Sequence, residues 1–137
     1  MAFSDADHKA QDHANQRWFT VAPSAARTAT SWWDFDVPDW AQGLTIIINA
    51  TAETDTASVV FTIQGVDPVS DGVWDILASA AVTAISSGTE TILKVSPHLA
   101  AAANTVAKDI LPGRIRILAT AADADSFTYS VGAALTA

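Results

Sequence analysis

Residues 43–68, GLTIIINATAETDTASVVFTIQGVDP, contain the two apolar runs that decide the fold. In each run the apolar face repeats at every second position, which is the period of a β-strand. The residues that share this face are Leu44, Ile46, Ile48, Ala50 and Ala52 in the first run and Val59, Phe61 and Ile63 in the second. The polar residues 53–56 between the runs have the composition of a turn. We therefore predict a β-hairpin, and we expect further strands to cover the apolar face that a hairpin cannot bury alone.

Composition limits the class of protein. The chain has 137 residues, no cysteine and a formal net charge of −8. This length is typical of one domain with its own core, and the lack of cysteine excludes disulfides and thiolate metal sites. The negative charge argues against nucleic acid and anionic membranes as partners. No apolar run approaches the ~20 residues that span a bilayer, and the first residues do not have the pattern of a signal peptide.

Further apolar runs, separated by turn residues, lie on both sides of this stretch. Asp-Pro and Asp-Gly steps within residues 67–72 predict a turn into a second hairpin, in which Trp74, Ile76 and Ala78 would face the core. Residues 98–111 have a helical composition, and a long loop is the alternative. We count about eight or nine short strands and predict an all-β, antiparallel β-sandwich, with jelly-roll and immunoglobulin-like strand orders both open.

The first 17 residues differ from the rest of the chain. They show no strand alternation, and Phe3 is the one aromatic residue in its first 16 positions. We predict an extended N-terminal arm over residues 1–17, followed by the sandwich domain over residues 18–137. The arm would become ordered on a neighbouring subunit with Phe3 as its anchor, and a frayed terminus is the alternative.

Tryptophans are concentrated in one part of the sequence, since all but one of the five precede residue 41. In the segment SWWDFDVPDW, Trp32 and Trp33 are adjacent, so on a strand they cannot both face the core. One of them should meet solvent, a loop or a partner. Exposed tryptophans can stack on sugar rings, but large aromatic residues also dominate protein interfaces, and we favour an interface. Trp18 and Trp40 are further interface candidates.

The segment 114–121 predicts a strand in which basic and apolar residues alternate. Ile115 and Ile117 would face the core, and Arg114 and Arg116 would face outward. We expect these two arginines to lie at the rim of an interface, where charges influence orientation and association rate more than affinity.

The chain offers little that could carry out catalysis. Its histidines are His8, His13 and His98. None has a nucleophile motif beside it, and there is no glycine-rich phosphate loop. Two acidic groups could give oxygen ligands to calcium: Asp34, Asp36 and Asp39, and Asp123 with Asp125. Their spacing matches no calcium-loop motif, and we interpret them as a solvated strand face and an ordinary turn. We assign no catalytic, cofactor-binding or metal-binding residue.

Three segments of the chain carry a resemblance to known proteins. They are IIINATAETDTASVVFTIQGVDPVSDGVWDILASAAVT (46–83), ILKVSPHL (92–99) and DILPGRIRILATAADADSFTYSVGA (109–133). Their order resembles that in a group of small structural proteins of tailed bacteriophages. The matching positions are 61–68, 74–81, 93–97, 111–118 and 125–132. The resemblance extends over residues 44–134 and consists of strand and turn segments rather than of a catalytic motif.

The resemblance implies a β-sandwich component of the virion, without enzymatic activity or a cofactor. Relatives in role decorate the capsid exterior as cement proteins, often as trimers. We therefore expect a capsid decoration protein, made in the cytoplasm of the host bacterium, that stabilises contacts between major capsid subunits. Its partners would be the major capsid protein and itself, as a homotrimer, with a second minor capsid protein as a further candidate. Nucleic acid and membranes are not expected as partners.

Two alternatives to a capsid decoration protein remain. The first alternative is a tail or baseplate component, because proteins of similar build are found in phage tails. The other is a carbohydrate-binding module for host attachment, which would use the tryptophans. Residues 1–40 lie outside the resemblance and suit a docking surface specific to one partner.

Overall fold

The computed structural model describes residues 16–55, 57–83 and 90–137. The strands in these ranges are β1 (Gln16–Arg27), β2 (Ser31–Asp36), β3 (Gly43–Glu53), β4 (Val59–Val66), β5 (Val73–Ala78), β6 (Thr91–Val95), β7 (Val106–Ala107), β8 (Arg114–Ala121) and β9 (Phe127–Thr136). No helix able to cross a membrane occurs among the described residues. Of the predicted arm, residues 1–15 lie outside the described ranges, and Gln16 and Arg17 are the first two residues of β1.

The strands form two sheets that pack face to face. One sheet has the order β1-β9-β3-β6-β7 and the other has the order β2-β8-β4-β5. Every strand pair is antiparallel except β6 with β7. The prediction of an all-β sandwich is therefore confirmed.

The core lies between the sheets and is built from the inward side of each strand. In β8, Ile115 and Ile117 are fully buried, while Arg114 and Arg116, which alternate with them, point outward, as predicted. An aromatic cluster fills the centre of the core. The ring of Tyr129 meets those of Phe61 and Phe127 edge to face, at centroid distances of 5.0 and 6.0 Å. Edge-to-face contact of this kind adds to the free energy gained by burying the rings.

The prediction that residues 43–68 form a hairpin is wrong. Its two runs do form β3 and β4, with the predicted apolar faces buried. However, β3 pairs with β6 and β9, whereas β4 pairs with β5 and β8 in the other sheet. Two strands that both have an apolar face can bury it side by side in one sheet or opposite each other across a core. This chain adopts the second arrangement.

The second hairpin is confirmed, but its inward face differs from the prediction. β4 and β5 pair across the turn at residues 67–72. The register shifts between Ile63 and Gln64, so that one residue more is accommodated in β5. As a result Leu77 is buried in the core, whereas Ile76 and Ala78 are only partly buried, with Ile76 packed against the core.

Residues 98–111 form no helix, and the alternative of a long loop is confirmed. The loop includes the two-residue strand β7, which pairs with the end of β6. A backbone hydrogen bond joins this loop to β6: the amide of Lys94 donates to the carbonyl of Thr105 at 2.9 Å.

Candidate functional site

One end of the sandwich brings together most of the prolines of the chain. We name residues 37–42, 67–72, 96–98 and 108–113 the proline-rich end. Four of the five prolines lie there: Pro38, Pro68, Pro97 and Pro112. Hydrogen bonds join these connections, because Val37 donates to the carbonyl of Gly113 at 2.9 Å and the His98 ring lies 2.7 Å from the side-chain oxygen of Gln42. Proline fixes the backbone, so this end presents its side chains from restrained loops.

Large apolar side chains are exposed at the proline-rich end and on the strand that adjoins it. Val69 is 92% exposed, Ile110 77% and Trp74 47%, and Trp40 is also exposed. At the opposite end, residues 28–30, 54–58, 79–83 and 122–126 connect the strands, and no large apolar side chain is exposed among those described. An exposed group of large apolar side chains is typical of an interaction surface.

A cleft of about 380 Å³ lies at the proline-rich end, between the β4–β5 turn and the start of β8. It is lined by Asp36, Val66, Pro68, Trp74, Pro112, Gly113 and Arg114. Trp74 pairs across the sheet with Gly65, and a Cβ atom on Gly65 would overlap the six-membered ring of the indole. The indole therefore lies over Gly65, and Trp74 lines the cleft while remaining 47% exposed.

Charged groups border this cleft. The Nε of Arg114 lies 3.3 Å from the Oδ1 of Asp36, and its Nη1 lies 3.9 Å from the Oδ1 of Asp71. In the neighbouring turn, Asp67 accepts hydrogen bonds from the amide of Val69 and the hydroxyl of Ser70, both at 2.9 Å. The Val69 amide, followed by the Ser70 hydroxyl, lowers the pKa of the Asp67 carboxyl. An aromatic surface and carboxylate groups therefore lie together in and around the cleft.

A related arrangement lies nearby on the outer face of the β2-β8-β4-β5 sheet. The guanidinium of Arg116 binds Asp34 through two hydrogen bonds of 2.7 and 3.0 Å. The same guanidinium lies over the ring of Trp32, at 4.0 Å from its centroid. The hydrogen bond to Asp34 raises the pKa of Arg116. This pair is more enclosed than the pair of Arg114 with Asp36, whose side chains are 44% and 82% exposed.

The structure distributes the predicted interface residues over several surfaces. Trp32 and Arg116 stack on each other, while Trp40 and Arg114 both belong to the proline-rich end or its border. Trp18 is exposed on β1 in the other sheet. Trp33 packs against the core, as the adjacency to an exposed Trp32 requires. Phe3 lies outside the described residues.

Three exposed residues of this end were not identified from the sequence: Val69, Trp74 and Ile110. Val69 and Ile110 lie in connections, where an apolar residue carries no periodic signal. Trp74 was expected to be buried, and it points toward the inner side of the sheet, but beyond the last layer of the core. Gly65 could have indicated this position, because a glycine within a strand often marks a close approach by another group.

Three of the five candidate calcium ligands contact other groups of the chain through their carboxylates. Asp34 and Asp36 each contact an arginine, and the carboxylate of Asp123 accepts a hydrogen bond from the amide of Asp125 at 2.9 Å. No group of three or more His, Cys, Asp or Glu side chains suited to a metal ion occurs in the part of the chain that the structure describes. Of the histidines, His98 bonds to Gln42, and His8 and His13 lie outside the described residues.

Comparison with known proteins gave no match. No protein-family model, no curated protein and no solved structure matches this chain.

Proposed function

We propose that this protein is a structural component of a tailed-bacteriophage virion, a decoration protein that binds the outside of the capsid. The observation that carries the proposal is the exposed apolar group at one end of the sandwich. Six of the seven residues that line the cleft at this end belong to the segments 61–68, 74–81 and 111–118, on which the resemblance to phage structural proteins rests. A rigid domain with one apolar end is suited to docking on a larger assembly.

The strand order supports a jelly-roll type of sandwich. The chain passes from one sheet to the other after β1, β2, β3, β5, β7 and β8, and stays within a sheet only after β4 and β6. Double-sheet jelly rolls place successive strands in this way and are common in viral capsid and lectin domains. An immunoglobulin-like order would place the first two strands in one sheet, whereas β1 and β2 lie in different sheets.

The proposed mechanism is binding rather than chemistry. The proline-rich end would contact the major capsid protein, and self-association as a homotrimer would join several such contacts into one multivalent attachment. A ligand that binds the assembled shell better than its separated subunits stabilises the shell by mass action. The net charge of −8 favours a partner surface with an excess of basic side chains. A second minor capsid protein is a further proposed partner.

Electron cryomicroscopy of the virion that contains this protein tests its location. The expected result is density for the sandwich on the outer capsid, with residues 37–42 and 108–113 against a capsid subunit. Density in the tail alone would replace the proposal with the alternative of a tail or baseplate component. Absence of the protein from the particle would overturn both.

A binding assay with purified capsids tests the surface itself. Ile110→Asp places a charge in the exposed apolar group and is expected to weaken capsid binding by about tenfold or more. Ala124→Asp adds the same charge at the opposite end and serves as the control. The assignment of the proline-rich end would be contradicted if both variants lost binding equally, or if neither variant lost binding.

The carbohydrate-binding alternative is favoured by one observation, the exposure of Trp32 and Trp40. Either ring could stack on a sugar, although Trp32 already carries Arg116 on its ring. Binding to a panel of bacterial surface polysaccharides that Trp40→Ala abolishes, together with absence from virions, would establish this second function.

A further inference from the structure

We propose that the cleft beside Trp74 binds an arginine side chain of the partner protein. The inference deepens the proposed function, since it states what the proline-rich end recognises. It rests on the proposed function only for the identity of the partner. The chemistry of the cleft can be tested without any virion.

The chain itself contains a complete example of the proposed contact. Arg116 lies 4.0 Å from the ring centroid of Trp32 and binds Asp34 through two hydrogen bonds. A guanidinium is flat, stacks on aromatic faces and offers paired N–H groups to a carboxylate. Trp32 and Asp34 are two residues apart on the outward side of β2, so one guanidinium reaches both.

Two further arginines of the chain lie over aromatic rings. Arg27 lies 5.1 Å from the ring centroid of Trp33, and Arg17 lies 5.6 Å from that of Phe19. In the part of the chain that the structure describes, no cation lies over Trp74. Trp74 therefore lacks the guanidinium group that the chain places over Trp32, Trp33 and Phe19.

The cleft offers the remaining components of this contact. Trp74 provides the ring and Asp36 the carboxylate, and both line the same cavity. Arg114 also lines the cavity but is directed to Asp36 and Asp71. A volume of about 380 Å³ falls within the range of roughly 300–1,000 Å³ that is usual for small-ligand pockets. An arginine side chain fits such a volume with its guanidinium over the indole.

The local charge selects a cation as the occupant. The carboxylates of Asp36, Asp67 and Asp71 lie in or next to the cleft with the single guanidinium of Arg114, which leaves a net charge of −2. The turn hydrogen bonds that lower the pKa of Asp67 keep its carboxylate ionised at neutral pH. Arginine is favoured over lysine because its planar group can stack on Trp74 and bind a carboxylate at the same time.

The test is an NMR titration of the full-length protein with Nα-acetyl-L-arginine amide. The indole N–H signals of the tryptophans report the site, and Trp74→Leu assigns the signal of Trp74. We expect a saturable shift of that signal, and at least about threefold weaker binding in Asp36→Asn, from loss of the charge-assisted contact. Trp40→Leu, at the same end but outside the cleft, should leave the affinity unchanged. The neutral isostere Nα-acetyl-L-citrulline amide should produce no saturable shift.

Several outcomes would overturn the inference. They are equal binding of the citrulline and arginine amides, a shift unaffected by Asp36→Asn, and a response of the Trp74 signal to maltotriose but not to the arginine amide. If Trp74→Leu does not fold, Asp36→Asn and the citrulline comparison still decide the result. Arginine binding by a protein that is absent from virions would uphold the inference and reject the proposed function, whereas a decoration protein without arginine binding would do the reverse.

Discussion

The indole ring of Trp74 occupies the space into which a side chain at Gly65 would project. The two residues are direct partners across β4 and β5. Because Gly65 has no Cβ atom, the ring can lie against the backbone of β4 and form a wall of the cleft. The shape of the candidate site therefore depends on a glycine that does not itself line it.

Gly65→Ala is expected to displace Trp74. The added methyl group would overlap the indole, so the ring must move or the strands must shift, at a cost of about 1–3 kcal/mol in the free energy of unfolding. Urea denaturation and the indole N–H chemical shift of Trp74 measure the two effects. Gly113→Ala is the matched control, since a Cβ atom there meets no atom within 4 Å. Equal stability of the two variants and an unchanged Trp74 signal would contradict the described packing.

The two arginine–aspartate pairs of β2 and β8 are expected to differ in strength. The side chains of Arg116 and Asp34 are 19% and 28% exposed and form two hydrogen bonds. Those of Arg114 and Asp36 are 44% and 82% exposed and form one long contact. Double-mutant cycles with alanine should give a coupling free energy of about 1 kcal/mol for the first pair and about 0–0.5 kcal/mol for the second. A larger value for the more exposed pair would refute this comparison.

The turn at residues 67–72 should show a pH-dependent contribution to stability. A folded-state pKa of Asp67 below the unfolded value of 3.8 means that the ionised carboxylate stabilises the fold above that pH. The contribution is lost as the pH falls through the folded-state pKa. Asp67→Asn should therefore lower the free energy of unfolding at pH 7, and its difference from the wild type should shrink below about pH 3.8.

Urea denaturation at several pH values measures this difference. Asp39→Asn removes the same charge from the same end of the sandwich and controls for the change in net charge. A difference between wild type and Asp67→Asn that is constant from pH 7 to pH 2.5 would show that the Asp67 hydrogen bonds do not have the expected effect.

Phe61→Ala is expected to destabilise the protein by about 3–5 kcal/mol, because it removes a large side chain from a packed interior. Phe61 is fully buried, and its ring centroid lies 5.0 Å from that of Tyr129. Thermal and urea unfolding provide the measurement. Val69→Ala, at a side chain that is 92% exposed, should change stability by less than about 0.5 kcal/mol. A loss below 1 kcal/mol in Phe61→Ala would mean that the centre of the core is elsewhere.

The strands and their buried faces were largely predictable from the sequence, because the period of two is a local property. Ile115 and Ile117 alternate with Arg114 and Arg116, and this pattern alone determines which side of β8 enters the core. Strand pairing was not predictable in the same way. The neighbours of β3 are β6 and β9, which lie far along the chain, and their contacts leave no trace in the pattern of β3 itself.

The candidate site was predicted in part. The adjacency of Trp32 and Trp33 correctly required one of them to leave the core. The exposure of Trp74 was not predicted, because its indole lies on the predicted inner side of the sheet but beyond the last layer of the core, and Gly65 is the one local signal of that position. The cleft also depends on connections such as 108–113, whose position is set by contacts with distant residues.

The position of β9 has a consequence for biosynthesis. β9, residues 127–136, lies between β1 and β3 and pairs with both. While the chain is being made, β1 and β3 therefore have no strand to join them, and Ile46 and Ile48 have only part of their final surroundings. The β1-β9-β3-β6-β7 sheet cannot be completed until residues 127–136 have left the ribosome, so the sandwich closes late in synthesis. A nascent chain halted before residue 127 should be sensitive to protease throughout, whereas the released protein should be resistant.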